Sequence, residues 1–115
     1  MYATQEVCRH TACPTQTAWR KMKRLGRYLA GSPRTALKYE WQGEEEHVTG
    51  YTDSDWVGCR KTGKSTRGGA LCIGSHFIKG WSSTQQSATL ISAEAELVAF
   101  VKCSAELLGL RSLLK

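Results

Sequence analysis

Tyr51-Thr52-Asp53-Ser54-Asp55-Trp56 and Ser92-Ala93-Glu94-Ala95-Glu96-Leu97 are the stretches whose reading decides the fold. The first lies in a run, His47 to Asp53, that alternates as a strand does. Thr49, Tyr51 and Asp53 share one face, and Val48, Gly50 and Thr52 the other. The second opens a helix, with Ser92 as the expected N-cap and Glu94 and Glu96 in the first turns, where the helix dipole favours carboxylates. Between them, Arg67 to Ser75 and Phe77 to Ser83 read as two strands around a turn at Gly74-Ser75-His76. Gly68-Gly69 inside the first of these predicts a bulge or a close backbone approach. Strand, strand, strand, helix is the order of an α+β domain with a three-stranded antiparallel sheet and one covering helix.

Working outward, the helix runs to about Leu114. Leu97, Phe100, Val101, Leu107, Leu108 and Leu114 supply its apolar face, expected to cover the sheet. Gly58 to Gly63 is a basic loop, and Thr84 to Ser87 a polar one. Upstream, Ala36 to Trp41 reads as a short strand, Gln42-Gly43 as a turn, and Glu44-Glu45-Glu46 as a solvated charge run. Thr15 to Ala30 is a basic amphipathic helix: Trp19, Met22, Leu25, Tyr28 and Leu29 recur at helical spacing, and Arg20, Lys21, Lys23, Arg24 and Arg27 cover its other faces. Pro14 suits its first turn, and Gly31-Ser32-Pro33 stops it. Such a helix can lie along a phosphate backbone or simply face water.

The chain's 115 residues, 41% of them hydrophobic, suit one globular domain with a modest core. The net charge of +6 is unevenly placed. Residues 1–39 carry eight Lys/Arg against Glu6 alone, residues 40–58 carry six acids and no Lys or Arg, and residues 59–80 return to a balance of +5. An acidic pocket flanked by basic surface suits a metal-dependent enzyme that acts on a polyanion, and a merely solvated surface gives the same pattern. The five cysteines, an odd number with no secretory signal ahead of them, argue against a disulfide framework. Cys8, His10 and Cys13 lack a fourth ligand at zinc-finger spacing. With no apolar run of membrane-spanning length and no signal peptide, an intracellular protein without a membrane partner is expected.

A carboxylate at a strand end and another at a helix start can converge on one Mg²⁺ and serve phosphodiester hydrolysis. Asp53 and Glu96 are the metal-ligand candidates. Asp55 rivals Asp53, being on the same face of an ideal strand, but Gly58 and the basic loop suggest that the strand is already ending there. Glu94 rivals Glu96 and points some 200° away from it on a helix, so both cannot face the sheet edge. Taken singly, Asp53 could close a turn and Glu96 could be an exposed helix glutamate. Ser65, Thr66, Ser82, Ser83, Thr84, Gln85 and Gln86 could hydrogen-bond a sugar-phosphate backbone, or be ordinary hairpin residues. Trp56 and Trp81 read as core. His10, His47 and His76 show no nucleophilic arrangement, and no Gly-rich phosphate loop is present.

From about His47 to Leu114 the chain resembles the ribonuclease H domain of copia-type retrotransposon polyproteins. The resemblance is carried by Tyr51-Thr52-Asp53-Ser54-Asp55-Trp56, Lys64-Ser65-Thr66, Trp81-Ser82-Ser83 and Glu94-Ala95-Glu96. More loosely, Ala18-Trp19-Arg20 and Leu25-Gly26-Arg27-Tyr28-Leu29-Ala30-Gly31 resemble the segment that links reverse transcriptase to ribonuclease H. The resemblance implies a connection-like segment over 1–39 and the N-terminal half of a ribonuclease H-like fold over 40–115. It implies Mg²⁺-dependent endonucleolytic cleavage of the RNA strand of an RNA–DNA hybrid, with the reverse transcriptase portion of the same polyprotein as a neighbour. Asp53 matches the family's first metal carboxylate, and Glu96, in an Ala-Glu-Leu step, matches the second. The third and fourth have no match here, so weak or absent Mg²⁺ binding and impaired activity are expected. The alternative is a non-catalytic remnant or nucleic-acid-binding module.

Overall fold

The computed structural model describes residues 2–43, 47–59 and 62–115. The chain divides into two compact units, Met1–Glu40 and Trp41–Lys115. The first holds α1 (Tyr2–Cys8) and α2 (Gln16–Gly31); the second holds β1 (Val48–Cys59), β2 (Lys64–Ile73), β3 (His76–Thr84) and α3 (Ser92–Leu113). This is an α+β architecture. The sequence does not announce α1. The helix at 15–30 forms with Thr15 as its N-cap, whose hydroxyl accepts the Ala18 N–H at 3.2 Å, so Pro14 precedes the helix rather than entering its first turn. Glu6 ties α1 to α2 by an ion pair with Lys21 at 3.4 Å and also bonds Arg9 at 2.6 Å. Of α2 only Ala18 is fully buried.

The expected strand at 36–41 does not form. Every residue from Gly31 to Trp41 is exposed, and none of them pairs with a strand. A lone extended segment satisfies its backbone groups with water and gains nothing from β geometry. Trp41 is 98% exposed, so it anchors no core.

The sheet is antiparallel, in the order β1-β2-β3. Asp53 pairs with Gly68, and Gly68 with Ser82; Thr52 pairs with Gly69, and Gly69 with Trp81. β2 and β3 join through a two-residue Gly74-Ser75 loop, since Ile73 pairs with His76. Gln42 braces this loop: its Nε2 donates to the Ile73 carbonyl at 2.9 Å, and its Oε1 accepts the Ser75 N–H at 3.0 Å. Of the two readings of Gly68-Gly69, close approach is the one realised. A Cβ on Gly69 would come within 2.2 Å of the Trp81 ring, so the indole lies flat against that backbone. The bulges fall elsewhere, between Leu71 and Cys72 and between Asp55 and Cys59.

α3 packs mainly on β1, on the face of Val48, Gly50, Thr52 and Ser54. A Cβ on Gly50 would come within 2.7 Å of Cys103 Sγ and 2.8 Å of Leu107 Cδ1. The stripe it presses on the sheet is Ala95, Ala99 and Cys103, all buried. This corrects the expected apolar face. Leu107 does reach the sheet, but Leu97, Phe100, Val101, Leu108 and Leu114 are 56–63% exposed. Gly50, without a side chain, makes room for Cys103 and Leu107, and the alanines let helix and strand approach closely. The helix start is also corrected. Ile91 occupies the N-cap position with no side-chain cap, and the Glu94 carboxylate instead accepts the Leu90 N–H at 2.8 Å.

Candidate functional site

Asp53 lies on the regular part of β1. The alternation that turns Gly50, Thr52 and Ser54 toward α3 turns Tyr51, Asp53 and Asp55 to the opposite, open face, and all three are exposed. Beside Asp53 on this face, the register places Gly68 and then Ser82, a floor of small residues. The ladder with β2 holds register as far as Asp55 and then shifts. Val57 takes φ +54°, a left-handed conformation costly for a β-branched residue. The strand thus reaches Cys59, but its regular course ends where the basic loop led one to expect. Asp55 folds onto the bulge: a side chain at Gly58 would meet its Oδ2 at 2.6 Å.

Glu96 sits on the first turns of α3, one residue past buried Ala95, and is exposed. Glu94 is engaged at the Leu90 N–H, whereas Asp53, Asp55 and Glu96 have no side-chain hydrogen bond or ion pair among the described residues. Asp53 and Glu96 leave from different sides. Asp53 points away from the face that α3 covers, so an ion shared with Glu96 would sit around the open edge of β1, the outer strand. Among the described residues no three His, Cys, Asp or Glu side chains group closely enough to hold a metal. Mg²⁺ keeps several of its waters and takes one or two carboxylates plus substrate phosphates, so carboxylates leaving from different sides do not by themselves make a site for it.

A buried polar brace, invisible to motif reading, holds these elements together. Ser65 Oγ and Thr89 Oγ1 are 3.0 Å apart, Ser65 Oγ accepts the Val57 N–H at 3.3 Å, and Trp56 Nε1 donates to the Thr89 carbonyl at 3.2 Å. Gln85 Nε2 donates to the Ala95 carbonyl at 2.8 Å and reaches Ser54 Oγ at 3.4 Å. The bulge after Asp55, the approach to α3 and the first turn of α3 are thereby linked. Ser65, Thr66 and Gln85 are buried, which removes them from the residues that could meet a sugar-phosphate backbone; Ser82 and Ser83 stay half-buried. Trp81 packs as expected, whereas Trp56 is 47% exposed and tethered by its indole N–H.

Burial between α3 and β1 pushes the Cys103 thiol above its usual range, with the Glu106 charge adding to the effect, and the thiol faces the Tyr51 carbonyl at 4.0 Å. Glu106 is held down to about 2 by hydrogen bonds from Lys102 and then Lys79, each at 2.5 Å. Lys79 and Lys102 are therefore neutralised locally. Of the basic residues of α2, Lys21 pairs with Glu6 of α1, and Lys23 lies 5.4 Å over the Trp19 ring. Arg60 and Lys61 of the basic loop lie outside the described residues. No described helix is long and apolar enough to cross a membrane.

Over nearly its whole length the chain is similar to one segment of retrovirus-related Pol polyproteins of plant transposons. It is 33% identical over 113 residues to that of transposon RE2 of Arabidopsis thaliana, a match covering 98% of this chain and 8% of the polyprotein. That of transposon TNT 1-94 of Nicotiana tabacum is 28% identical over 114 residues, with 99% and 8% covered. An uncharacterized mitochondrial protein of Arabidopsis thaliana is 32% identical over 106 residues, covering 92% of this chain and 44% of that protein. The chain thus spans only about 8% of the length of the polyproteins it matches. These relatives support a retroelement origin. No family model and no solved structure matches the chain.

Proposed function

We propose that the chain is the ribonuclease H-type portion of a retroelement polyprotein, acting on RNA–DNA hybrids inside the cell beside the reverse transcriptase portion. One observation carries the reading. A strand bearing Asp53, a hairpin, and a helix bearing Glu96 follow in the order the resemblance requires, within a chain similar over 98% of its length to a Pol polyprotein. Mg²⁺, when bound, supplies an activated water for hydrolysis of the phosphodiester. Asp53 and Glu96 would hold it, Asp53 from the open sheet face and Glu96 from the start of α3. The basic residues of α2 and Arg67 would contact phosphates without reading sequence.

Two donors hold a hydrated Mg²⁺ weakly, so nucleic acid is bound better than it is cut. Affinity of residues 1–115 for an RNA–DNA hybrid, measured by fluorescence anisotropy, falls steeply with salt as counterions are released. Cleavage in Mg²⁺ or Mn²⁺ is absent or very slow. Asp53→Asn leaves binding intact or slightly stronger, because it removes negative charge near the phosphates. Salt-insensitive binding would defeat the electrostatic reading. Efficient Mg²⁺-dependent cleavage that Asp53→Asn abolishes would show the two carboxylates to be sufficient after all.

A further inference from the structure

The outer side of α3 carries a seam that the sheet does not use. Leu97, Phe100, Val101 and Leu108 are 61%, 61%, 60% and 63% exposed. Leu97, Val101, Ser104 and Leu108 recur at four-three-four spacing, the a/d rhythm of a helix that packs on another helix. At 100° per residue they lie across the helix from Ala95, Ala99 and Cys103, the stripe pressed on the sheet. The same rhythm continued one step outward reaches Glu94 at one end and Arg111 at the other.

We propose that α3 pairs through this seam with α3 of a second copy of the chain, the two helices antiparallel. The charges decide both occupant and direction. An antiparallel pair centred between Lys102 and Cys103 sets Leu97 against the partner's Leu108 and Val101 against the partner's Ser104. It sets Glu94 against the partner's Arg111 at both ends, so each seam is closed by opposite charges. A parallel pair would stack Glu94 on Glu94 and Arg111 on Arg111. Antiparallel packing also opposes the two helix dipoles. Both charged groups are available: Glu94 uses one carboxylate oxygen on the Leu90 N–H, and Arg111 has no side-chain partner among the described residues. Ser104 at the crossing is small enough to let the backbones approach.

Sedimentation equilibrium on residues 1–115 tests this, with circular dichroism to confirm that each variant keeps its helices. The wild-type chain sediments as a dimer. Val101→Glu, at an exposed position of the monomer, raises the dissociation constant by about a hundredfold or more, since it places an unpaired charge in the seam. Arg111→Glu weakens the dimer roughly tenfold, through two surface pairs turned repulsive. Glu94→Arg combined with Arg111→Glu restores it. A wild-type chain that stays monomeric at its highest soluble concentration overturns the proposal. So does a dimer that survives Val101→Glu, or one that Arg111→Glu weakens and the charge swap fails to restore.

Discussion

Gly69 shows how one residue without a side chain sets the packing of its neighbours. The Trp81 indole lies where a Cβ would be, 2.2 Å from the nearest ring atom, and a rigid ring packed on the backbone cannot step aside cheaply. Gly69→Ala is expected to destabilise the Trp41–Lys115 unit by about 2–3 kcal/mol, the cost of overpacking a filled site. Urea unfolding followed by tryptophan fluorescence measures it, and an unchanged midpoint would mean that the ring is free to move. At Gly50 the same lack of a side chain makes room for Cys103 Sγ and Leu107 Cδ1 of α3.

α3 is held to the sheet by three kinds of contact, and each makes its own prediction. Gln85 bonds the Ala95 carbonyl at 2.8 Å from a fully buried position. Gln85→Leu removes that donor and also the reach to Ser54. We expect a loss of about 1–3 kcal/mol in urea unfolding, as for other buried polar groups left unpaired. Glu106, facing Lys102 on its own helix and Lys79 on β3, has its carboxyl lowered from the usual 4.5 to about 2. A folded-state value below the unfolded one adds stability that is complete above about pH 4.5. This contribution is lost as the pH falls through about 2. Glu106→Gln should therefore flatten the acid loss of stability between those limits and leave the rest of the curve alone. A variant that loses stability as steeply as the wild type in that window would place the acid sensitivity elsewhere. The stripe of small residues has no titrating partner except Cys103, whose burial keeps it protonated.

At the scale of the whole chain, charge is divided between the two units. Met1–Glu40 carries the helix with five Lys/Arg and no acid, and Trp41–Lys115 carries the carboxylates of the candidate metal site. If hybrid binding draws on α2, then replacing Arg20, Lys23 and Arg27 by Gln should weaken it for every sequence alike. It should also reduce the slope of log affinity against log salt by about 2–3. Anisotropy titrations at several salt concentrations read this directly. An unchanged slope would move the phosphate contacts to the second unit, where Arg67 donates to Ser83 Oγ at 3.2 Å and lies beside the Asp53 ladder.

Much of the second unit was legible before its structure. The alternation around Asp53, the turn residues at Gly74-Ser75 and the long apolar run after Ser92 are local signals, and local signals specify elements. They specified three antiparallel strands and a helix. What they could not carry was anything set by a partner distant in sequence. The strand expected at 36–41 failed because it joins no sheet among the described residues. The helix face turned out to be Ala95, Ala99 and Cys103, with Leu107, because α3 docks over Gly50, about fifty residues away in the chain. Ser65, Thr66 and Gln85 looked like surface hydroxyls and amides, and only the folded chain buries them, with Ser65 hydrogen-bonded to Thr89 and Gln85 to the Ala95 carbonyl. Periodicity and capping are written in residues three or four apart, whereas burial belongs to surfaces that meet only after the chain has closed on itself.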